Sequence, residues 1–369
     1  MKYNSILGRY ISKQIIITFL MVLVTIMGII MMFDSIEALR RISGRDDTGM
    51  SYVVKYALTK LPETLDKVLP FLVMVAAMMT FWRLSKNNEY VIIRASGVSA
   101  WGVLKPVLLT VFLLGIINMT LINPISSKMY EMHATLKYRF ITRDPSAMLF
   151  SSKGLWIREA LDKDKVLVVQ AKSLRQEKDE TLSMQDISII EMDQNAQIIK
   201  RIEGLVGSLK NKHFKLRGVQ IFESGKITEN LPTYEYDTTI TLQRIKENFV
   251  DPDAISFWDL PDTIRFYETA GFSASRHQMR YLSLWAMPFL LMAMALIASL
   301  FSLTPSVRQG GVMMMIVIGV TTGFIVYFSS QLIYAFGLNG YIPIWLATWS
   351  PTVIVALLGL TCLIVKEEG

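Results

Sequence analysis

The sequence predicts an α-helical membrane protein with six transmembrane helices, three on each side of an inserted all-β domain. The hydrophobic content of 52% and the mean hydropathy of +0.38 exceed what the core of a soluble protein of 369 residues requires. Charged residues are missing from four long stretches, and charges return at ordinary density between the second and third of them. The charge-free stretches are Gln14 to Phe33, Pro106 to Ser127, Tyr281 to Val307 and Gln309 to Val365.

The first charge-free stretch follows the basic residues Lys2, Arg9 and Lys13, a pattern shared by secretory signal peptides and membrane anchors. Its length matches the roughly 20 residues that cross a bilayer, whereas the apolar region of a signal peptide has about 7 to 15. No Ala-x-Ala cleavage pattern follows Phe33. We therefore expect an uncleaved first transmembrane helix.

The second span is harder to delimit, because its charge-free part, Val68 to Trp82, is short for a crossing. A full crossing requires residues from about Leu58 onward, with Lys60 and Lys67 extending to the interface. A re-entrant segment is the alternative. Because Pro106 to Ile122 provides a return span, two crossings joined by a short polar hairpin are the simpler arrangement.

Short segments rich in Val, Ile and Tyr occupy the middle of the chain, between about Ala147 and Asn248. They alternate in part between apolar and polar residues and are separated by turn-forming residues. This pattern predicts an antiparallel sheet, sandwich or open barrel. The segments are GLWIREA, KVLVVQAKSL, QDISIIEMD, QIIKRIEG, FKLRGVQIFES and YEYDTTITL.

The second membrane block follows an amphipathic segment, Ile255 to Thr269. Tyr281 to Leu303 is the fourth predicted span, and the last stretch divides at Gly337 to Gly340 into a fifth and a sixth. The predicted domains are residues 1–127 with three spans, 128–272 with the β domain, and 273–369 with three spans.

The basic residues of the short loops predict the orientation, since cytoplasmic loops carry an excess of Lys and Arg. The net charge of +7 is therefore attributed to membrane flanks, and no nucleic-acid partner is expected. Both termini are predicted in the cytoplasm and the β domain in the periplasm. The basic residues on the cytoplasmic side are then Lys2, Arg9, Lys13, Arg83, Lys86, Arg94, Lys105, Arg308 and Lys366.

Catalytic and cofactor motifs are nearly absent from the sequence. His133, His213 and His277 lack a second His or a Cys at ligand spacing, so neither a metal nor another cofactor is expected. The nearest approach to a phosphate-binding loop, residues 44–51, has Met50 where a lysine is required, which excludes ATP hydrolysis by that route. A single cysteine, Cys362, excludes an internal disulfide.

The hairpin between the second and third spans carries the strongest local pattern, from Asn88 to Gly97. It predicts a short helix that ends at Gly97, with Glu89 near its start and Arg94 near its end complementing the helix dipole. Its apolar residues fit either a helix lying on the lipid headgroups or a helix that docks into a partner protein.

Two glycines, Gly319 and Gly323, form a Gly-x-x-x-Gly pattern on the fifth span. This pattern lets another helix backbone approach closely. It fits packing within the subunit and a gate against a partner equally well.

Three runs together resemble the LptF/LptG (YjgP/YjgQ) permease family of the lipopolysaccharide-export ABC transporter, most closely its LptG branch. They are NNEYVIIRASGVS, DPDAISFWDLPDTIRFYETAGFSASRHQ and GGVMMMIVIGVTTGFIVYFSSQLIYAFG, and the resemblance covers essentially the whole chain. It implies a β-jellyroll-like periplasmic domain. It also implies a coupling helix that binds the cytoplasmic LptB ATPase dimer, with Glu89, Arg94, Ala95 and Gly97 as its matching positions.

The implied function is extraction of lipopolysaccharide from the outer leaflet of the inner membrane, together with an LptF-type permease, LptC and an LptA-type periplasmic bridge. Such a carrier needs cations at the headgroup level to meet lipid phosphates. Ordinary anchoring of span ends at the interface is the alternative role for these cations. The candidates at the outer ends of predicted spans are Arg40, Arg41, Lys60, Lys67, Arg276 and Arg280.

A non-transporting membrane scaffold, whose β domain recruits partners, is the rival class. A MacB-like permease fits less well, because in that plan the large domain follows the first span and three spans end the chain.

Overall fold

The computed structural model describes residues 2–42, 50–137, 148–151, 154–162, 165–176, 181–193, 198–210, 212–223, 226–238, 250–302 and 312–368. Six of its helices are long and apolar enough to cross a membrane, which confirms the predicted six spans. The helices are α1 (Lys2–Ile42), α2 (Met50–Lys86), α3 (Glu89–Ala95), α4 (Ala100–Ile117), α5 (Asn123–Lys137), α6 (Leu260–Thr269), α7 (Ser275–Ser302), α8 (Val312–Leu338) and α9 (Ile344–Glu368).

The second span is one continuous helix that begins at Met50, well before the predicted start near Leu58. Its first turns bury Tyr52, Val53 and Tyr56, residues at the spacing of one helix face. The charges between Lys55 and Lys67 obscured this face, because they lower the mean hydropathy without interrupting the helical period. The segment is therefore a helix that continues beyond membrane length.

The third span also runs further than predicted. A π-helical turn, Asn118–Ile122, joins α4 to α5, and the apolar span extends from Ala100 to Ala134. A π turn inserts an extra residue into the helical ladder and is frequent at functional sites.

The chain divides into two compact units. The first contains Met1–Leu136, Ser256–Trp258 and Gln278–Gly369, and the second contains Lys137–Ile255 and Asp259–His277. The first unit has an apolar core contributed by α1, α2, α4, α7 and α9, with fully buried residues such as Ile15, Leu72, Val107 and Leu291.

The second unit contains a seven-stranded antiparallel sheet in which each strand pairs with its sequence neighbours. The predicted inserted β domain is thus confirmed. A four-residue first strand was not predicted. The last strand contains the first four residues of the predicted YEYDTTITL segment, and residues 239–242 of that segment lie outside the described residues. The strands are β1 (Met148–Ser151), β2 (Gly154–Asp162), β3 (Lys165–Gln176), β4 (Leu182–Asp193), β5 (Ile198–Lys210), β6 (His213–Glu223) and β7 (Lys226–Asp237).

A shift in the alternation of β4 explains why the pattern in the sequence is only partial. Leu182 and Met184 face the core, and beyond Asp186 the core residues become Ile187 and Ile189. Asp186, with φ of 49°, and Lys172 opposite it are both skipped in the pairing of β3 with β4, so the register is the same on the two sides of the shift.

One face of the sheet packs against α6 and the residues after it, chiefly Tyr267 and Phe272. Burial raises the pKa of the Tyr267 hydroxyl above its ordinary value, so this side chain remains a neutral hydrogen-bond donor.

Candidate functional site

The hairpin between the second and third spans forms the short helix α3, as predicted. It begins after Asn88, which has φ of 61°, and its last turn is closed by a hydrogen bond from Ser96 Oγ to the Ile93 carbonyl oxygen at 2.8 Å. Gly97 follows with φ of +86°, a conformation that side chains other than glycine rarely adopt. This geometry ends the helix at Ala95 and turns the chain back toward α4.

Helix α3 has two distinct faces. Tyr90 and Ile93 pack against the apolar core of the first unit. Val91 and Ile92 point away from that core and are 48% and 65% exposed, and Arg94 is exposed beside them. The helix therefore presents an apolar and basic outer surface that the described part of this chain leaves uncovered.

Two neutral donors orient the Glu89 carboxylate at the start of α3. The Tyr10 hydroxyl of α1 donates to Oε2 at 2.9 Å, and the Asn87 amide donates to Oε1 at 3.2 Å. A carboxylate has about four lone-pair sites, so these two bonds leave acceptor capacity for a cation from outside the chain.

Two of the six candidate substrate-binding cations have carboxylate partners in neighbouring turns or helices. Lys60 Nζ lies 2.6 Å from Asp34 Oδ1 and 3.9 Å from Glu37 Oε2, which joins α2 to α1. Lys67 Nζ lies 2.5 Å from Glu63 Oε1, one helical turn away. Both lysines thus have their charge matched within the chain.

Arg280 is the third cation with a partner, and its partner is buried. Its Nη2 lies 2.8 Å from Oδ2 of Asp66, whose side chain is 4% exposed. Asn118, the first residue of the π turn, donates to the other carboxylate oxygen at 3.1 Å. This cluster connects α2, the third span and α7 by polar contacts inside the first unit.

The remaining candidates are Arg40, Arg41 and Arg276. Arg40, in the last turns of α1, and Arg276, near the start of α7, both have exposed side chains. Neither forms an ion pair with another residue in the described ranges. The Arg41 side chain lies outside the described part of the structure.

Gly319 and Gly323 face α2 of the same chain. A Cβ added at Gly319 would lie 2.6 Å from Met78 Sδ, and one added at Gly323 would lie 2.7 Å from the Phe71 ring. The fifth span therefore uses both glycines for close packing within the subunit, while a gate against a partner remains a prediction.

Comparison with known proteins identifies the family. Residues 9–365 match the family model described as the lipopolysaccharide export system permease LptF/LptG. This chain belongs to that family. The lipopolysaccharide export system permease protein LptG of Escherichia coli strain K12 is 25% identical over 364 residues, which cover 96% of this chain and 94% of that protein. LptG of Haemophilus influenzae strain Rd is 24% identical over 334 residues, or 89% of each chain.

The LptF/LptG family resemblance carried by the sequence motifs is thus confirmed, and both of these relatives are LptG proteins. Together with the six apolar helices, the match identifies a multi-pass inner-membrane permease of the lipopolysaccharide export system.

The permease also has a polar site on the third span that sequence reasoning missed. The Trp258 indole N–H donates to the Thr120 carbonyl oxygen in the π turn at 3.2 Å, and the Phe257 N–H donates to Asn123 Oδ1 at 2.7 Å. Phe257 also stacks on Tyr281 with ring centroids 5.5 Å apart. The only sequence signal was the SFWD segment inside the run that carried the family resemblance.

Sequence reasoning also missed the carboxylate partners of three candidate cations, Lys60, Lys67 and Arg280. Asp66 was the available signal, because an acid directly beside an apolar run usually has a polar partner inside the protein.

Proposed function

We propose that this permease is a transmembrane subunit of an ABC transporter that extracts lipopolysaccharide from the outer leaflet of the inner membrane and passes it to a periplasmic bridge. In this proposal it catalyses no reaction, and a partner ATPase hydrolyses ATP. The observation that carries the proposal is the uncovered outer face of α3, on a helix held between two spans.

The four matching residues have complementary roles in this docking. Glu89 and Arg94 offer opposite charges at the two ends of α3, Ala95 leaves room for close approach, and Gly97 ends the helix. Because α3 is joined to α2 and α4 by turns of a few residues, displacement of α3 by an ATPase would move both spans.

Charge reversal on α3 tests this coupling. We expect Glu89→Lys or Arg94→Glu to reduce the affinity for the LptB-type ATPase at least about tenfold, since both remove and oppose a charged interfacial contact. Copurification and ATP hydrolysis by the reconstituted complex measure the effect. Arg265→Glu, at an 80% exposed position on α6, is the matched control and should behave like the wild type. Unchanged assembly together with unchanged lipopolysaccharide release in both α3 variants would contradict the coupling role.

The proposed orientation places both termini and α3 in the cytoplasm and the β domain in the periplasm. In a Cys362→Ser background, a Lys172→Cys variant is expected to react with a membrane-impermeant thiol reagent in intact spheroplasts, whereas Ser96→Cys is expected to react only after lysis. Both positions are exposed, so accessibility within the protein does not decide the outcome. The opposite pattern would invert the orientation and remove α3 from the ATPase side.

A second permease subunit of the LptF type is part of the proposal. In the most apolar part of each span, only 22% of the first span and 11% of the fifth are buried within this chain. These shares are lower than in the other four spans. A paralogous subunit beside them would enclose a cavity for acyl chains, with LptC and an LptA-type bridge receiving the lipid.

Arg40 and Arg41 are the proposed headgroup contacts, because Lys60, Lys67 and Arg280 already have acidic partners. A photoreactive residue at position 40 is expected to crosslink to lipopolysaccharide in membranes. The Arg40→Glu, Arg41→Glu variant should lose about tenfold or more in lipid binding, since a charge-assisted contact contributes about 1.5 to 3 kcal/mol. Absence of crosslinks together with normal export by this variant would reduce both residues to interfacial anchors.

A further inference from the structure

A side-chain hydrogen bond joins the first span to helix α3. The Tyr10 hydroxyl of α1 donates to Glu89 Oε2 at 2.9 Å, across 79 positions of sequence. A hydrogen bond to an ionised carboxylate is stronger than one between neutral groups. The bond therefore holds the start of α3 against α1. Helix α3 is also connected covalently to α2 and α4, the two spans that flank it.

The same end of α1 also packs on the third span. Thr110 Oγ1 of α4 donates to Ser12 Oγ at 2.9 Å, and a Cβ added at Gly8 would lie 3.7 Å from the Pro106 ring. Helix α1 thus forms specific contacts with both α3 and α4 within a few residues of Tyr10.

Helix α1 then continues without interruption from Lys2 to Ile42 and contains no proline. At 1.5 Å per residue, Tyr10 and Arg40 are about 45 Å apart along one rod. Sharp helix kinks occur almost always at a proline, a Gly/Ser pair, a π turn or an inserted group, and α1 has no proline, no adjacent Gly and Ser, and no π turn. A displacement applied at Tyr10 is therefore carried toward Arg40.

We propose that Tyr10 is a positioning residue that ties the first span to the coupling helix, so that movement imposed on α3 reaches α1 through the hydrogen bond to Glu89. This inference rests on the proposed docking of an ATPase on α3. It gives the first span its own connection to that helix, separate from the covalent connections through α2 and α4. Tyr10 does not itself contact the ATPase or the lipid in this scheme.

Tyr10→Phe removes the hydroxyl and keeps the ring. In the complete complex reconstituted in lipopolysaccharide-containing vesicles, we expect it to lower the amount of lipopolysaccharide released per ATP hydrolysed by about three- to tenfold, while complex yield changes less than twofold. Tyr341→Phe, at a 77% exposed position between α8 and α9, is the matched control and should retain the wild-type ratio. A wild-type ratio in Tyr10→Phe would overturn the proposal.

A double-mutant cycle with Glu89→Ala identifies the partner. If Tyr10 acts through Glu89, adding Tyr10→Phe to Glu89→Ala should leave the release-to-hydrolysis ratio unchanged. A further loss in the double variant would show that Tyr10 acts by another route and would overturn the proposal.

Failure of the docking model gives a different result. If Glu89→Lys and Arg94→Glu leave assembly and release intact, α3 is not the coupling helix. If those variants are impaired while Tyr10→Phe is normal, only the role of Tyr10 is rejected.

Discussion

Replacing Asp66 with alanine is expected to destabilise the membrane unit by about 3 kcal/mol or more. The change leaves the Arg280 guanidinium, whose side chain is 18% exposed, without the carboxylate at 2.8 Å, and it also removes the acceptor of the Asn118 amide. Removing one partner of a buried pair costs more than the pair itself contributes, because an uncompensated charge remains. The effect should appear as a lower unfolding midpoint in detergent.

Glu63→Ala is the matched control for this experiment. It breaks the pair with Lys67, whose side chain is 51% exposed, and should cost about 1 kcal/mol or less. An Asp66→Ala, Arg280→Leu double variant should recover much of the lost stability, since no buried charge is left. Equal effects of Asp66→Ala and Glu63→Ala would contradict the assignment of a buried, structurally coupled ion pair.

Replacing Gly115 with alanine is the second change with a large expected effect. A Cβ at this position would lie 2.5 Å from Pro288 Cα, a backbone atom of α7 that cannot rotate away. Helices α4 and α7 would have to separate, at a cost of about 1 to 3 kcal/mol or more. Thermal unfolding and the yield of folded protein in detergent measure the loss.

The control for Gly115 is Gly28, a helical glycine of α1 with nothing within 4 Å of an added Cβ. Gly28→Ala should leave stability unchanged or raise it by up to about 1 kcal/mol, because alanine favours the helix. If Gly115→Ala proved as harmless as Gly28→Ala, α4 and α7 would not be in the described close contact.

The membrane plan was predictable from the sequence because hydropathy is a local property. Charge-free stretches of membrane length located five of the six spans, and Gly337 to Gly340 located the break between the last two. The second span was predicted by extending a shorter charge-free segment back to about Leu58. The extensions of α2 toward Met50 and of α5 toward Lys137 were not predicted. Those segments carry charges on one face, and only the positions of their buried residues reveal a helix.

The β domain was predictable to the level of its strands but not of its register. β3 and β6 were predicted within a few residues, because β-branched and aromatic residues concentrate there. The phase shift at Asp186 coincides with gaps in the pairing to both neighbouring strands, which local alternation does not encode. The four-residue strand Met148–Ser151 is too short to give a period.

The candidate site was likewise predictable only where its sequence signals are local. Helix α3 was predictable because its glycine stop and its charged ends are local signals. The pairing of Lys60 with Asp34 and of Arg280 with Asp66 depends on helix contacts between residues distant in the sequence. A cation near the end of a predicted span therefore looked the same in the sequence whether it was exposed, as Arg40 is, or paired, as Arg280 is.

The most direct test of the transport account is ATP-dependent release of lipopolysaccharide from vesicles that contain this chain, a paralogous permease, the LptB-type ATPase and LptC, with an LptA-type acceptor outside. The account predicts release that requires ATP and all membrane subunits and that is lost with Arg94→Glu. An assembled complex that hydrolyses ATP but leaves lipopolysaccharide in the vesicles would contradict it and would favour a scaffold that only recruits partners.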